Sequence, residues 1–576
     1  MKESKTPKFD ALLDKILNQL VPSTKVCGDC KKEFNIEADD ITFYKMFRVP
    51  PSKFCPDCRQ KRRLAFANYS SIYKRKCDVP GHTEMMISPV APIMPWKTYD
   101  YDVYYGDSWN PFTYGHAADL NQKTFSQISD ILNIIPQPGI RRGDNSVNCD
   151  FSFYGRNMKD CYYVFGGRKS EDIMFGSSIY RSKHAVDSYS IYDVDTVYQN
   201  ISTSDCFKIN FGYFSNSCVE CDFIFDCRNC QNCFGCVNLR NKNYCWFNEQ
   251  LSREEYIKKR KMVNLGNRKI LNEYQKKFWN FVKENPIRAT RIMQSHNCSG
   301  EDIRESNNCH NCFQLENCEN VKYGAFAIVN LRDSMDIGHT GGAEKQYYSQ
   351  NCGTKSSNIK FSFAMKESMD CEYTMSSKNC TNCFGCVGLR NASYCIFNKK
   401  YEPEEYWKIL DQVKTKMLAD GDYGEFFPMN FSPCAYNSTL AQIIYPINEN
   451  EAKQCGVYWQ NESDIDTRGL RTLSVNEFSE NIADIDTTIL DVVIIGEKTH
   501  QPFKITEREL EFYKRHNLAL PNDTPRHRML ERFKILNNFR THNETCSSCG
   551  KEIESLFGKK DGFQPYCESC YKKEVI

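Results

Sequence analysis

A cysteine block that occurs twice constrains this chain more than any other feature. The first copy reads Cys227-Arg-Asn-Cys230-Gln-Asn-Cys233-Phe-Gly-Cys236-Val-Asn-Leu-Arg-Asn-Lys-Asn-Tyr-Cys245. In the second copy Cys380, Cys383, Cys386 and Cys395 replace Cys230, Cys233, Cys236 and Cys245. Leu389, Arg390, Asn391, Tyr394, Phe397 and Asn398 likewise replace Leu239, Arg240, Asn241, Tyr244, Phe247 and Asn248. Internal repeats of this kind set the architecture before any local reading does.

A shorter period runs through both copies. Cys206, Cys218 and Cys230 fall at twelve-residue steps, as do Cys221, Cys233 and Cys245, and Cys371, Cys383 and Cys395. Asn, Gly, Ser and Asp punctuate short aromatic or β-branched runs, which is strand–turn chemistry. The interval is too short for a propeller blade or a helix pair. It suits a narrow β-solenoid in which equivalent residues stack about 4.8 Å apart, so that the cysteines form interior columns. The consecutive CxxC steps from Cys227 to Cys236 also resemble iron–sulfur ligation. Additional zinc and packed free thiols are the other readings. Packed thiols are the default, because Ser377 replaces Cys227 in the second copy while the ladder continues.

The compartment bears on how cysteines are read. There are 31 of them in 576 residues, with a formal net charge of +2. That balance gives no global field toward nucleic acid or membrane. No apolar run approaches the roughly 18 residues of a membrane span, and the polar start Met1–Pro7 does not read as a signal peptide. The expectation is a cytoplasmic protein, or part of a particle assembled inside a cell, not secreted by a signal peptide and with no membrane partner. In a reducing compartment CxxC pairs read as metal ligands rather than disulfides.

Two such pairs stand at each end. Cys27, Cys30, Cys55 and Cys58 supply four thiolates for a tetrahedral structural Zn²⁺ site, and Cys546, Cys549, Cys567 and Cys570 supply a second. A redox dithiol is the weaker reading, since that motif comes singly within a βαβ pattern. After Cys58 come Arg59, Lys61, Arg62, Arg63, Lys74, Arg75 and Lys76, with Phe66, Tyr69 and Tyr73 at helical spacing; this stretch reads as a basic helix able to meet phosphates. A second basic run, Lys258, Lys259, Arg260 and Lys261, follows a capping box at Ser252–Glu255. An apolar stripe of Ile270, Tyr274, Phe278, Phe281 and Val282 continues toward Pro286. A solvated helix face is the plain reading of both basic stretches. Cys77 opens another ribbon, but its partners are missing; His82 and Asp100 are the nearest substitutes.

The segment from Glu33 to Pro51 returns as Pro502 to Pro521, with Phe34, Ile36, Phe43 and Tyr44 matched by Phe503, Ile505, Phe512 and Tyr513 and one residue inserted before Pro521. At the ligand positions stand Gly496, Thr499, Pro525 and Arg528, so that ribbon is expected to be metal-free and held by apolar contacts. The fold class is therefore mixed and β-rich, with two short-period (about 12-residue) β-solenoid segments joined by helices and flanked by tandem zinc-ribbon modules at both ends. The expected segments are 1–110 (ribbon pair, second member degenerate), 140–250 (solenoid one), 251–294 (basic connector), 295–400 (solenoid two), 401–490 (helix and mixed linker) and 491–576 (ribbon pair, first member degenerate).

The Phe43-Tyr44, Val49-Pro-Pro51 and Cys55-Pro-Asp-Cys58-Arg59 motifs, followed by Arg62-Arg63, resemble a zinc-ribbon family of unknown function. With the repeated cysteine block and the terminal Tyr-Cys-Glu-Ser-Cys they are similar to uncharacterised cysteine-rich proteins of small-genome bacteria. The resemblance covers most of the chain and implies no particular activity; the family's usual second N-terminal ribbon and leading C-terminal ribbon have lost ligands here, at Cys77 and Thr499. The sequence holds no P-loop, GxSxG elbow or HExxH. The leading expectation is a non-enzymatic scaffold whose partners are assembly proteins or further copies of itself. Binding of nucleic acid or a ribonucleoprotein through the basic helices is the alternative, and an enzyme with its site in a solenoid groove is the second alternative.

Overall fold

The computed structural model describes residues 4–575 apart from 69–70, 141–144 and 462–466. The chain divides into two compact units, Met1–Ile140 with Arg291–Gln460, and Arg141–Thr290 with Asn461–Ile576. Each unit joins one long parallel sheet to the terminal modules lying at a distance in sequence. No helix among the described residues is long and apolar enough to cross a membrane.

In the second unit the strands Lys159–Tyr162, Glu171–Met174, Lys183–Val186, Asp195–Tyr198, Phe207–Tyr213 and Val219–Phe225 pair in parallel and in register. Ile173 lies beside Ala185, then Val197, Ile209 and Cys221. A second parallel sheet links Phe153–Arg156, Phe165–Arg168, Ser177–Tyr180 and Tyr189–Tyr192 in the same way. What makes so short a repeat possible is a left-handed residue at every third position, for example Asn157, Asp160, Tyr163, Lys169, Asp172 and Phe175. Each such residue costs about 1–2 kcal/mol unless it is Gly, Asn or Asp, which explains the Asn and Asp punctuation of the sequence. Their side chains also form outer ladders, as Asn229 Nδ2 to Asn241 Oδ1 and Asn379 Nδ2 to Asn391 Oδ1, both 2.7 Å.

The left-handed residue donates its N–H back to the preceding strand (Arg181 N to Arg168 O, 2.8 Å), and the strand residue two positions later donates forward (Lys183 N to Val194 O, 2.9 Å). The residue between them points inward, and its N–H leaves the ladder. Here a hydroxyl or thiol one repeat earlier accepts it: Ser170 Oγ from Ser182 N at 3.1 Å, Ser182 Oγ from Val194 N at 3.3 Å, and Cys221 Sγ from Cys233 N at 3.4 Å. The same Ser182 and Cys221 side chains donate to Tyr180 O and Val219 O. Serine and cysteine are therefore interchangeable inside, and Cys206, Cys218, Cys221, Cys227, Cys230, Cys233, Cys236 and Cys245 share one core with Ile and Val. Cys371, Cys380, Cys383, Cys386 and Cys395 do so in the first unit.

The repeated block is where each ladder ends. Gly235 and Gly385 have positive φ, and a Cβ there would strike the rings of Phe247 and Phe397. Asn248 replaces a missing strand, accepting Val237 N–H and donating to Val237 O, both at 2.9 Å; Asn398 does the same for Val387 at 2.8 Å. Leu239 and Leu389 point into the core. Tyr244 and Tyr394 meet Tyr256 and Tyr406 of the helices that follow, Arg253–Lys261 and Pro403–Ala419. The Ser252–Glu255 capping box forms. The apolar stripe belongs to a separate helix, Arg268–Glu284, whose Tyr274 and Phe278 pack on Phe234 and Phe223.

The terminal modules repeat more closely than the sequence suggested. Val26 pairs with Glu33 as Ile495 does with Pro502, and left-handed Lys31 and Arg48 match His500 and Asn517. Gly28 N binds Lys53 O as Glu497 N binds Asn522 O. The offset is constant through helices Pro56–Leu64 and Pro525–Ile535, so no residue is inserted before Pro521. The ligand positions are thus Gly496, Thr499, Thr524 and His527, not Pro525 and Arg528. The trailing modules also correspond. Strands Thr98–Tyr99 and Gln564–Tyr566 pair in parallel with Gln137–Pro138 and Pro286–Arg288, just after helices Thr124–Ile134 and Arg268–Glu284. Along the ladders, Asp187, Gln199, Phe211 and Phe223 match Asp336, Tyr348, Phe361 and Tyr373, all left-handed.

Replacing Ser182 by Ala leaves the Val194 N–H without its acceptor and is expected to cost about 1–3 kcal/mol, whereas Ser182→Cys is expected to restore most of it. Denaturant unfolding of the full chain measures both.

Candidate metal centres and the arginine–aspartate docks

Each intact module closes on four sulfurs. The ligand atoms of Cys27, Cys30, Cys55 and Cys58 lie within 4.8 Å of one another, and so do those of Cys546, Cys549, Cys567 and Cys570. Pro56 and Glu568 start short helices immediately after Cys55 and Cys567, so both members of each second pair project from one helical turn. Backbone N–H groups aim at the sulfurs: Cys55 N to Cys27 Sγ and Cys567 N to Cys546 Sγ, both 3.3 Å. Hydrogen bonding with Cys58 pulls the Cys55 thiol down to about 5 and pushes Cys58 up. Against burial, the N–H groups of Cys549 and Cys567 hold Cys546 at about 6. The thiolate is the form that a metal ion takes up. Both groups can hold a metal ion, with four thiolates and no open position.

Among the described residues only these two groups converge in this way. Cys227, Cys230, Cys233 and Cys236 occupy four successive inward positions. Their sulfurs instead donate to carbonyls two residues earlier, at 3.4–3.6 Å. The ladder geometry supports neither an iron–sulfur cluster nor additional metal there. Cys77 accepts Asp100 N–H at 3.4 Å, as Cys546 does from Cys567, while His82 is exposed and forms no group with it.

The degenerate module is not held by apolar contacts alone. Asp523, 2% exposed, accepts from Lys498 N (2.9 Å), Thr499 N (3.2 Å), Thr499 Oγ1 (2.5 Å) and Thr524 N (2.8 Å). A carboxylate gathers the two knuckles in the metal's place. Burial pushes this carboxyl up, but the hydrogen bonds from Thr499, Lys498 and Thr524 outweigh it and hold the group below the usual carboxylate range.

The basic residues after Cys58 do not form one surface. The helix ends at Leu64, and Tyr73–Lys76 is a strand; Tyr69 lies outside the described residues. Arg59 and Arg63, each 1% exposed, are turned into the protein. Arg59 Nε donates to Asp336 Oδ2 at 2.7 Å and Arg63 Nη1 to Asp336 Oδ1 at 2.8 Å. They are not available to a phosphate backbone. Arg62 stacks 3.8 Å over Phe54, Lys61 lies 6.0 Å over Tyr436, and Arg75 binds Asp78 and Trp96 O. Lys74 and Lys76 are exposed. In the second run Arg260 is held by Asp222 at 2.8 Å, leaving Lys258, Lys259 and Lys261 exposed.

The same dock exists in the second unit. Arg532 Nη1 donates to Asp187 Oδ1 at 2.9 Å, and Arg528 Nε stands 3.3 Å from Asp187 Oδ2. Arg59 faces the ring of Tyr323, and Arg528 that of Phe175, at the same ladder position. In both units a buried left-handed aspartate on the ladder receives an Arg-x-x-x-Arg pair from the helix behind the second knuckle. The trailing modules have their own tie, through the repeated Leu-Arg-Asn. Arg390 reaches the carbonyls of Tyr104 (2.5 Å) and Trp109 (2.7 Å), and Arg240 reaches the Tyr571 hydroxyl (3.3 Å) and Asp226 (3.0 Å). Sequence reading missed Asp187, Asp336 and Asp523. The usable signal was the shared Pro-x-x-Arg-x-x-x-Arg after Cys55 and Thr524.

No protein-family model matches this chain, and no curated protein matches it. Among solved structures, a protein of Desulfovibrio desulfuricans G20 described as an acetyltransferase is similar at 10% identity, over 40% of this chain and 64% of that one, with a TM-score of 0.09. The chain spans less than two thirds of that structure's length, and so poor a superposition carries no argument about fold or activity.

Removing the ladder carboxylate strands two buried cations. Asp336→Ala and Asp187→Ala are each expected to cost about 3–5 kcal/mol, and Asp336→Leu combined with Arg59→Met and Arg63→Met to recover most of it. Thermal unfolding measures the difference. Because Asp523 has a depressed folded pKa, its contribution is present above the unfolded value of about 3.9 and disappears as pH falls through the folded one. Asp523→Asn is expected to remove that acid-dependent loss from the pH–stability profile.

Proposed function

We propose that this chain is a non-enzymatic scaffold in which zinc-ribbon pairs brace two narrow β-solenoids and hold their faces ready for macromolecular partners. The observation that carries it is the twofold dock: in each unit the helix behind a knuckle is plugged by two arginines into a ladder carboxylate, so the module's fold serves the ladder's rigidity. Four thiolates with no open position suit Zn²⁺ in a structural role. The in-register twelve-residue pairing, inward Ser and Cys columns and outer Asn ladders favour the solenoid reading. Repeat architectures of this kind work as extended contact surfaces.

Nucleic-acid binding is the second reading, favoured by the exposed Lys258, Lys259 and Lys261 on one short helix. Its signature is affinity that falls steeply with salt.

The purified chain is expected to carry two zinc ions by elemental analysis, falling to one in Cys55→Ser and in Cys567→Ser, with a lower unfolding temperature in each variant. Gel filtration of a lysate with and without nuclease separates the two readings. A large species that survives nuclease supports a protein scaffold; one that collapses supports nucleic-acid binding; a monomer in both runs counts against each.

A further inference from the structure

Among the described residues, three cysteines outside the two metal centres are not buried: Cys149, Cys298 and Cys455. Two of the three open a ladder. Strand Val147–Asp150 stands at the end of its sheet and pairs with Lys159–Tyr162, which places Cys149 in register over Cys161. In the first unit a bridge between His296 and Asn307 places Cys298 over Cys309 in the same way. The neighbouring residues repeat as well: Asn148 Nδ2 donates to Asp160 Oδ1 at 2.6 Å, and Asn297 Nδ2 to Asn308 Oδ1 at 2.8 Å. Each ladder therefore starts with a half-exposed thiol standing over a buried one.

The four sulfurs are free thiols. Cys149 Sγ donates to Val147 O at 3.3 Å and Cys161 Sγ to Lys159 O at 3.2 Å, as elsewhere in the columns. Hydrogen bonding from the Cys161 thiol draws the Cys149 thiol down to about 7 against burial, and the same contact pushes Cys161 up. An accessible, acidic thiol beside a second thiol is the arrangement in which oxidation by peroxide ends in a disulfide.

The position at the ladder edge matters for geometry. Equivalent residues on parallel neighbours stand about 4.8 Å apart, whereas a disulfide brings two Cβ atoms to about 3.5–4.5 Å. Inside a ladder that approach is resisted, because each strand is hydrogen-bonded on both sides; Val219–Phe225, which carries Cys221, lies between Phe207–Tyr213 and Phe234–Val237. The opening strand is held from one side and can close the difference. Cys221, Cys233 and Cys245, each no more than 1% exposed, are also out of reach of a reagent.

We propose that the opening coil of each ladder is a site of oxidation by hydrogen peroxide, with Cys149 and Cys298 as the reacting thiols and Cys161 and Cys309 as the resolving ones. The Cys149 thiolate attacks one peroxide oxygen and breaks the O–O bond, giving a sulfenic acid and a hydroxide that takes up the thiol's proton as water. The Cys161 sulfur then attacks the sulfenic sulfur to form the S–S bond, and its proton leaves with the sulfenic hydroxyl as a second water. Two thiols are oxidised and one peroxide is reduced. The first step also removes the thiolate whose charge and hydrogen bonding hold Cys161 in its protonated form, which eases the second. The product ties the first coil to the next at the open edge, and a thiol reductant reverses it. Disulfides of this transient kind are the ones a reducing compartment permits. The chemistry is independent of what the ladder faces bind.

Thiol mapping of the full-length protein tests it. The protein is exposed to a small excess of hydrogen peroxide, free thiols are blocked with N-ethylmaleimide, and non-reduced peptides are identified by mass spectrometry. Cross-linked Cys149–Cys161 and Cys298–Cys309 peptides are expected, in yields about tenfold above any Cys221–Cys233 peptide and released by dithiothreitol. In Cys161→Ser, whose hydroxyl suits the same column, dimedone is expected to label Cys149 several-fold more than in the unaltered chain. Interior cross-links in equal yield overturn the proposal. So does a Cys149 that stays open to N-ethylmaleimide, or one carried to sulfinic acid without a cross-link; the same results at Cys298 overturn it for the first unit's ladder.

Discussion

The hydroxyl and thiol columns of the ladders follow from one backbone group, the inward-turned N–H. A left-handed residue at every third position turns the chain tightly enough for a twelve-residue repeat, but it also swings the next N–H out of the sheet and into the core. Buried N–H groups are nearly always paired. The interior therefore needs side chains small enough for a narrow space and able to accept, which Ser and Cys are. Ile and Val fill the same columns where packing dominates, as at Ile173, Val197 and Ile209. The abundance of cysteine is thus a backbone problem solved with a soft acceptor that also packs like a hydrophobe. No metal or disulfide is required to explain it.

A ladder of this design is open at its ends and along its outer faces. The repeated block closes an end by imitation: Asn248 and Asn398 present a side-chain amide where a further strand's peptide would lie. The faces are closed by modules distant in sequence, tied by Arg59 and Arg63, Arg528 and Arg532, Arg240 and Arg390. A buried ion pair adds little net stability over an apolar one, but its geometry is demanding. Two arginines one helical turn apart each meet one oxygen of a single carboxylate. That makes the docks specifiers of register between module and ladder more than sources of stability.

The parts of this fold that were legible from the sequence are those written as local spacing. The twelve-residue period, the two four-cysteine groups and the Ser252 capping box depend on neighbours within one or two turns. Asp336 was not legible because its importance arises from Arg59 and Arg63, which approach it from a remote segment. Its own surroundings read as another punctuating aspartate. Arg59 and Arg63 were misread for the same reason: basic residues beside a knuckle look solvated until the element they enter is known. Matching Pro51 to Pro521 displaced the second pair of ligand positions by one, from Thr524 and His527 to Pro525 and Arg528. The hydrogen bonds of Gly28 and Glu497 to Lys53 and Asn522 restored the register.

The duplication also shows what the intact and degenerate modules have in common. Where four cysteines remain, their sulfurs receive backbone N–H groups from the opposite knuckle, as Cys27 does from Cys55 and Cys546 from Cys567. Where the cysteines are lost, Asp523 receives the N–H groups of Lys498, Thr499 and Thr524, and Asp78 receives that of Thr98 at 2.7 Å. In both cases a negative centre is placed where two turns converge with their donors pointing inward. A carboxylate can take that place because the requirement is charge and acceptor capacity. The strands, the caps and the arginine dock are the same around four cysteines as around one carboxylate, so this geometry depends on an acceptor at the convergence of the two turns.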